Sequence, residues 1–169
     1  MQKIFKITLI FGVLAGVACF LFFLLAKFTV ENPLSHKLAP LGLQMILISY
    51  GIWYYKRSNA GYLHFYEGFT IAVLGNILAA LTGGLLIWLF LVGIDIEPFN
   101  VWIRESVAFL ISDRENKKEV LSDEAFARML EAVKNSRPYT VIPDRLITTF
   151  WAVFPMGLLV MALRKIKPV

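Results

Sequence analysis

Charged residues are scarce in this sequence. Only 17% of its 169 residues are Asp, Glu, Lys or Arg, whereas charged residues make up about a quarter of a typical soluble domain. Hydrophobic residues reach 58%, above the roughly 45–50% of a soluble domain. This excess of apolar surface needs an apolar solvent, so the composition argues against an ordinary soluble domain and predicts a membrane protein.

Catalytic and metal-binding patterns are also lacking. Cys19 is the single cysteine and lies in an apolar run, so no disulfide can form within the chain. The sequence contains no glycine-rich phosphate loop, no HExxH motif and no GxSxG motif. His36 and His64 lie on opposite predicted faces of the membrane, so they cannot share a metal ion, and neither has cysteine or clustered acids beside it. We therefore expect no enzymatic activity, no metal and no cofactor.

Long apolar runs are what the sequence does contain. A run of about 20 residues crosses a hydrocarbon core of roughly 30 Å at 1.5 Å per residue. The first run is too long for the hydrophobic part of a typical signal peptide, so we interpret it as an uncleaved span. The predicted fold is all-α, a single membrane domain over residues 1–169. Its four transmembrane helices are predicted at residues 7–26, 38–55, 68–92 and 146–163.

The positions of the cations predict the orientation. Lysine and arginine collect on the cytoplasmic side of membrane spans, and most cations that border the runs lie on one predicted side, with only Lys27 and Lys37 in the opposite short loop. We expect both termini in the cytoplasm. The net charge of +5 does not predict nucleic-acid binding, because these cations flank apolar runs. They are Lys3, Lys6, Lys56, Arg57, Arg164, Lys165 and Lys167.

Residues 95–145 differ from the rest and hold ten of the twelve acids. We predict an extracytoplasmic insert with two amphipathic helices. The first, residues 99–111, presents Trp102 and Phe109 to the membrane border. The second, residues 122–135, has an apolar stripe that includes Phe126 and Leu130. This stripe is expected to pack either on the first helix or on a partner.

Several motifs resemble a known family of small membrane proteins, the domain of unknown function 4199 (DUF4199), found mainly in Bacteroidota. The resemblance covers nearly the whole chain. It implies the cytoplasmic membrane of a two-membrane bacterium, with the insert in the periplasm. The family has no established activity, so the resemblance transfers no functional residue. It is carried by Ile48-Ser49-Tyr50-Gly51-Ile52, Tyr55-Lys56-Arg57, Gly61, Phe65, Gly68 and Phe154-Pro155-Met156-Gly157-Leu158-Leu159.

Small residues recur at helical spacing in the first and third spans. Small side chains let helices approach closely in lipid, so these rows predict packing within the monomer or an interface with a second copy or a partner. Asn76 is predicted either to join helices by hydrogen bonds or to form a polar pathway with Gln44 and Thr82. The rows are Gly12 and Gly16, then Gly75, Ala79 and Gly83, and beside them Ala72, Asn76, Ala80 and Gly84.

Charged groups are missing from the centres of the runs, which counts against an ion-coupled transporter. Glu67 lies at a span border, where we expect it to pair with Lys56 or Arg57. The paired acids Asp95 with Glu97 and Asp113 with Glu115 are interpreted as solvated loop residues.

We expect a non-enzymatic accessory subunit or assembly factor of a membrane complex. Its expected partners are membrane lipids and either a membrane protein or a second copy. The main alternative is a small transporter or lipid-handling protein that uses a kink at Pro155. A membrane enzyme acting on lipid-linked substrates with acids of the insert is a third interpretation.

Overall fold

The computed structural model describes residues 2–36, 38–114 and 122–166, and within them it contains α-helices and no strand. The all-α prediction is confirmed for these residues. Lys37, Glu115 and Lys167 fall outside the described ranges. The helices are α1 (Gln2–Thr29), α2 (Leu38–Ser58), α3 (Phe65–Gly93), α4 (Glu97–Ser112), α5 (Asp123–Lys134) and α6 (Val141–Leu163), the last preceded by a 3-10 turn (Pro138–Thr140).

Three helices are long and apolar enough to cross a membrane: α1, α3 and α6 with its preceding turn. Helix α2 has 21 residues, about 31 Å of helix, but it is the least hydrophobic of the four long helices. Its sequence includes Gln44, Ser49 and four aromatic residues with polar groups. Length and composition therefore mark three candidate spans, compared with the four predicted.

Helix α3 lies at the centre of the bundle and contacts each of the other long helices. Its closest approach is to α1, where glycines face glycines. A Cβ atom on Gly16 would lie 2.6 Å from Thr82 Cβ and 2.8 Å from the Ala79 carbonyl oxygen. A Cβ on Gly12 would lie 3.0 Å from the Gly75 oxygen. The two backbones can approach this closely only because these positions carry no side chain.

One end of the bundle collects the start of α1, the end of α2, the start of α3 and the end of α6. The Lys3 ammonium donates to the Ser58 carbonyl. Leu63 and Lys165 exchange backbone hydrogen bonds of 2.9 and 3.1 Å. We call this the basic end, because Lys3, Lys56, Arg57, Arg164 and Lys165 lie there.

Residues 95–114 and 122–145 cover the opposite end, which we call the polar end. Lys27 of α1 forms a 2.6 Å ion pair with Asp95. The buried Asn32 amide, in the loop after α1, donates to Glu105 at 2.5 Å. Polar contacts therefore join the end of α1 to Asp95, just before α4, and the loop after α1 to α4 itself.

The buried core consists of two apolar clusters. The cluster toward the basic end is formed mainly by isoleucines of α2 and α3 with Met156 and Val160 of α6. The cluster toward the polar end is more aromatic, and Phe23 and Phe90 meet edge to face at 5.6 Å. Phe99 of α4 belongs to this second cluster, so α4 is anchored to the bundle by its apolar face.

Helix α5 lies along α4. It begins with Ser122, whose hydroxyl accepts from the Ala125 N–H at 3.3 Å and caps the helix. Of its apolar stripe, Val133 lines a cavity together with Trp102 and Phe109 of α4, and no residue of α5 is fully buried. The Arg114 guanidinium covers the ring of Phe126 at 5.4 Å.

The α1–α3 contact yields a test with a matched pair of variants. Gly16→Ala should lower the melting temperature in detergent, because its methyl group meets backbone and such overpacking costs about 1–3 kcal/mol. Gly42→Ala in α2 meets nothing within 4 Å and should leave the melting temperature unchanged or raise it, since alanine is the better helix former. Equal melting temperatures for the two variants would contradict the close approach.

Candidate functional site

A buried layer of polar side chains crosses the middle of the bundle. Gln44 of α2 and Asn76 of α3 are 4% and 0% exposed. The Gln44 amide donates to the Asn76 side-chain oxygen at 2.7 Å, and the Asn76 amide donates to the Ala72 carbonyl at 2.8 Å. A buried amide without such partners would cost several kcal/mol in lipid, so this contact fixes the register of α2 against α3.

The same layer reaches the other two long helices. The Gln44 amide lies 3.4 Å from the Thr149 hydroxyl of α6, and the Asn76 amide lies 3.0 Å from the Met156 sulfur. On α1, the Cys19 thiol donates to the Pro40 carbonyl at 3.3 Å and lies 3.9 Å from the Gln44 oxygen. Among the described residues, every buried side-chain nitrogen and oxygen has a hydrogen-bond partner.

The polar layer does not continue toward the basic end. Between Asn76 and the basic end, the bundle is filled by side chains with no exposed surface, namely Ile48, Ile52, Ile71 and Met156. Two buried polar side chains lie nearer the basic end: the Thr8 hydroxyl donates to the Ile4 carbonyl of its own helix at 2.8 Å, and the Glu67 carboxylate accepts from the Tyr55 hydroxyl at 2.7 Å. The apolar side chains between these groups leave no polar route through the described part of the bundle.

A cavity of about 150 Å³ lies at the polar end, where the start of α6 is covered by α4. Arg145 lines it and is half-buried. Within the described residues, its guanidinium makes no hydrogen bond or ion pair. The rest of the lining is mixed and includes Phe99, Trp102, Ser136, Thr140 and Asp144.

Comparison with known proteins decides the family. Residues 10–163 match the family model described as "Protein of unknown function (DUF4199)". The chain belongs to the DUF4199 family. The resemblance inferred from its motifs is therefore confirmed. No curated protein and no solved structure matches the chain.

The small-residue rows of this DUF4199 protein lie inside the monomer. Gly12 and Gly16 of α1 face Gly75, Ala79 and Gly83 of α3, and all of them are buried. The adjacent row contacts α2 and α6: Asn76 binds Gln44, and a Cβ on Gly84 would lie 3.2 Å from Ile142 Cα. These faces are thus covered within a single chain.

Thr82 is not part of the polar layer, although the sequence interpretation grouped it with Gln44 and Asn76. It packs against Gly16 instead. Thr149 and Cys19 contact Gln44 in this layer instead, and neither was predicted from the sequence to belong to it. The available clue was that each long apolar run carries a few polar or thiol side chains, but their spacing does not show which of them face each other.

Glu67 does not form the predicted ion pair with Lys56 or Arg57. Its carboxylate accepts from the Tyr55 hydroxyl and from the His64 backbone N–H at 2.9 Å, and neither contact involves Lys56 or Arg57. The last turn of α2 buries Tyr55, whereas Arg57 is exposed and lies over the Trp53 ring. The expected ion pair is replaced by a hydrogen bond because Tyr55 is the inward-facing residue.

Asp95 and Glu97 are both engaged in ion pairs, with Lys27 and Arg104 respectively. A hydrogen bond from Lys27 lowers the pKa of Asp95, and one from Arg104 lowers the pKa of Glu97. Both carboxylates are therefore ionised at neutral pH, unlike a general acid. Glu115 lies outside the described residues. Among those described, no group of three or more His, Cys, Asp or Glu residues could hold a metal ion.

The four aromatic and apolar residues singled out in the insert lie in different surroundings. Trp102 stacks on Phe99 at 5.6 Å and packs against the aromatic cluster. Phe109 is 63% exposed. Phe126 and Leu130 are half-buried on α5.

A double-mutant cycle tests the polar layer. Asn76→Leu should lower the free energy of unfolding by about 1–3 kcal/mol, because it leaves the buried Gln44 amide without its partner. Adding Gln44→Met should recover part of this loss, since the polar group is then removed as well.

The measurement is reversible unfolding in mixed micelles, with Thr82→Val as the control outside the layer. A coupling energy of about 0.5–3 kcal/mol is expected for side chains in contact. Strictly additive effects of the two substitutions would show that Gln44 and Asn76 do not interact.

Proposed function

We propose that α2 is a fourth membrane span, with both termini in the cytoplasm and residues 95–145 in the periplasm of a bacterium with two membranes. The placement of the polar groups of α2 supports this, because they lie inside the bundle or near the membrane border, where a span tolerates them. Gln44 faces inward and is satisfied, and Trp53 and Tyr54 lie near the end, where aromatic residues favour the membrane border. Ile46, on the outer face, is 67% exposed and suits contact with lipid.

Cysteine labelling tests this topology. In a Cys19→Ala background, Glu131→Cys in α5 should react with a membrane-impermeant maleimide in intact spheroplasts of the expression host. Ser58→Cys at the end of α2 should react only after the membrane is permeabilised. Labelling of Ser58→Cys in intact spheroplasts would overturn the proposed orientation.

We further propose that the protein is a non-enzymatic accessory subunit or assembly factor of a membrane complex, with the outer face of α6 as its partner surface. One observation carries this proposal: Trp151 is 79% exposed on the outer face of α6. Tryptophan is enriched among the residues that dominate protein interfaces. A partner helix would explain its position.

The surroundings of Trp151 support the same surface. Phe150 and Phe154 are 79% and 75% exposed on the same face of α6. Between this face and α3 lies an apolar groove that is also lined by Phe65 and Phe69. The glycine rows are already covered within the monomer, so the exposed aromatic face of α6 is the surface we assign to another transmembrane helix.

Native mass spectrometry of the protein purified in nanodiscs tests the subunit proposal. The wild type should carry a second membrane protein in fixed stoichiometry, and the double variant Trp151→Leu/Phe154→Leu should lose it. Phe28→Leu, at an equally exposed apolar position near the end of α1, should retain it. The protein alone, or a complex indifferent to Trp151, would contradict the proposal.

A lipid-handling function is the second candidate, and the cavity beside Arg145 favours it. A transporter has less support, because apolar side chains fill the bundle between Asn76 and the basic end.

A further inference from the structure

The basic end carries positive charge that no ion pair balances. Its five cations come from α1, α2 and the segment after α6, and within the described part of the chain none of them pairs with a carboxylate. Residues 2–6, 53–67 and 161–166 contain a single acid, Glu67, which is buried and bonded to Tyr55. Cations held close together repel one another, so an anion bound at this end would be stabilised.

The polar end balances more of its charge locally. Several of its cations form ion pairs, namely Lys27, Arg104, Arg114 and Arg128. The preference of lysine and arginine for the cytoplasmic side of a membrane accounts for cations at one end of the bundle. It does not account for their being brought together from three separate parts of the chain.

The fold gathers three of these cations around the turn between α2 and α3. The Lys3 ammonium, on the first turn of α1, donates to the Ser58 carbonyl. Lys165, after α6, exchanges backbone hydrogen bonds with Leu63 on the other side of this turn. Arg57 directly precedes the turn at the end of α2. The three positive charges therefore border one short segment.

Aromatic rings hold two of these cations in place without neutralising them. The Arg57 guanidinium lies over the Trp53 ring at 5.5 Å, and the Lys165 ammonium lies over the Tyr62 ring at 5.9 Å. Both cations are exposed, so their charges face the surroundings. Because tryptophan is typical of the membrane border, Arg57 is placed at the depth of lipid phosphates.

We propose that the basic end binds the headgroup of an acidic phospholipid such as phosphatidylglycerol, whose phosphate accepts hydrogen bonds from Arg57, Lys165 and Lys3. Arginine presents paired donors that match phosphate oxygens, and clusters of cations beside membrane spans bind anionic lipids. The ammonium of phosphatidylethanolamine would be repelled by the same cations. The inference goes beyond the subunit proposal and depends neither on the orientation nor on the α6 partner surface.

Lipid selectivity of the full chain tests this. Delipidated protein in micelles is titrated with phosphatidylglycerol or phosphatidylethanolamine and followed by native mass spectrometry. The wild type should bind phosphatidylglycerol more tightly, by about tenfold or more, because each cation near an anionic lipid contributes roughly fivefold. The double variant Arg57→Gln/Lys165→Gln should lose most of this preference while binding phosphatidylethanolamine as before.

Arg104→Gln/Arg128→Gln is the matched control, because it removes the same charge from exposed positions at the polar end. It should bind phosphatidylglycerol as the wild type does, and Arg57→Lys/Lys165→Arg, which keeps both charges, should retain most of the binding. Melting temperatures measured alongside separate loss of binding from loss of structure. If the glutamine variant fails to fold, added salt on the wild type should reduce the same preference by screening exposed charges.

Soluble compounds distinguish a lipid from a free anion. Inorganic phosphate and glycerophosphoglycerol should stabilise the wild type far less than phosphatidylglycerol, because neither contributes acyl chains. Equal stabilisation by inorganic phosphate would assign the basic end to a soluble anion and overturn the proposal. Equal affinity for the two lipids, or an undiminished preference in Arg57→Gln/Lys165→Gln, would overturn it as well. A failed topology test would leave this binding measurable in micelles, so the two proposals can fail separately.

Discussion

The hydrogen bond from Gln44 to Asn76 is the contact on which the arrangement of the four long helices depends. Apolar side chains gain little by leaving lipid for one another, so apolar packing alone specifies the helix register weakly. A pair of buried amides specifies it strongly, because each would be costly without its partner. Thr149 and Cys19 bring α6 and α1 to the same level of the bundle.

Glycine makes this polar contact compatible with dense packing. With Gly12 and Gly16 in α1, the backbone of α3 comes close enough to be enclosed on several sides. The central helix can then present Asn76 to α2 and α6 while Ala79 and Gly83 face α1. The small-residue rows and the polar layer therefore act together to place one helix at the centre.

The sequence predicted local features well and long-range partners poorly. Each predicted apolar run falls within one helix, because hydrophobic length is a local property. The network involving Thr149 was missed, since Gln44 lies 105 residues away in sequence and nothing in the local pattern pairs them. Glu67 was assigned to neighbouring cations because the inward direction of Tyr55 depends on how α2 rotates against α3. The cavity at Arg145 likewise forms only when α4 covers α6.

The interior of the described bundle is closed by apolar side chains and hydrogen-bonded polar groups, and we propose that the protein acts through its surfaces. The reactivity of the native Cys19 thiol tests this most directly, without any substitution. In native membranes a water-soluble thiol reagent applied to either side should leave Cys19 unmodified until the protein is denatured, because the thiol is 4% exposed and hydrogen-bonded within the polar layer. Rapid modification of the folded protein would reveal an aqueous route to the centre of the bundle and contradict the account.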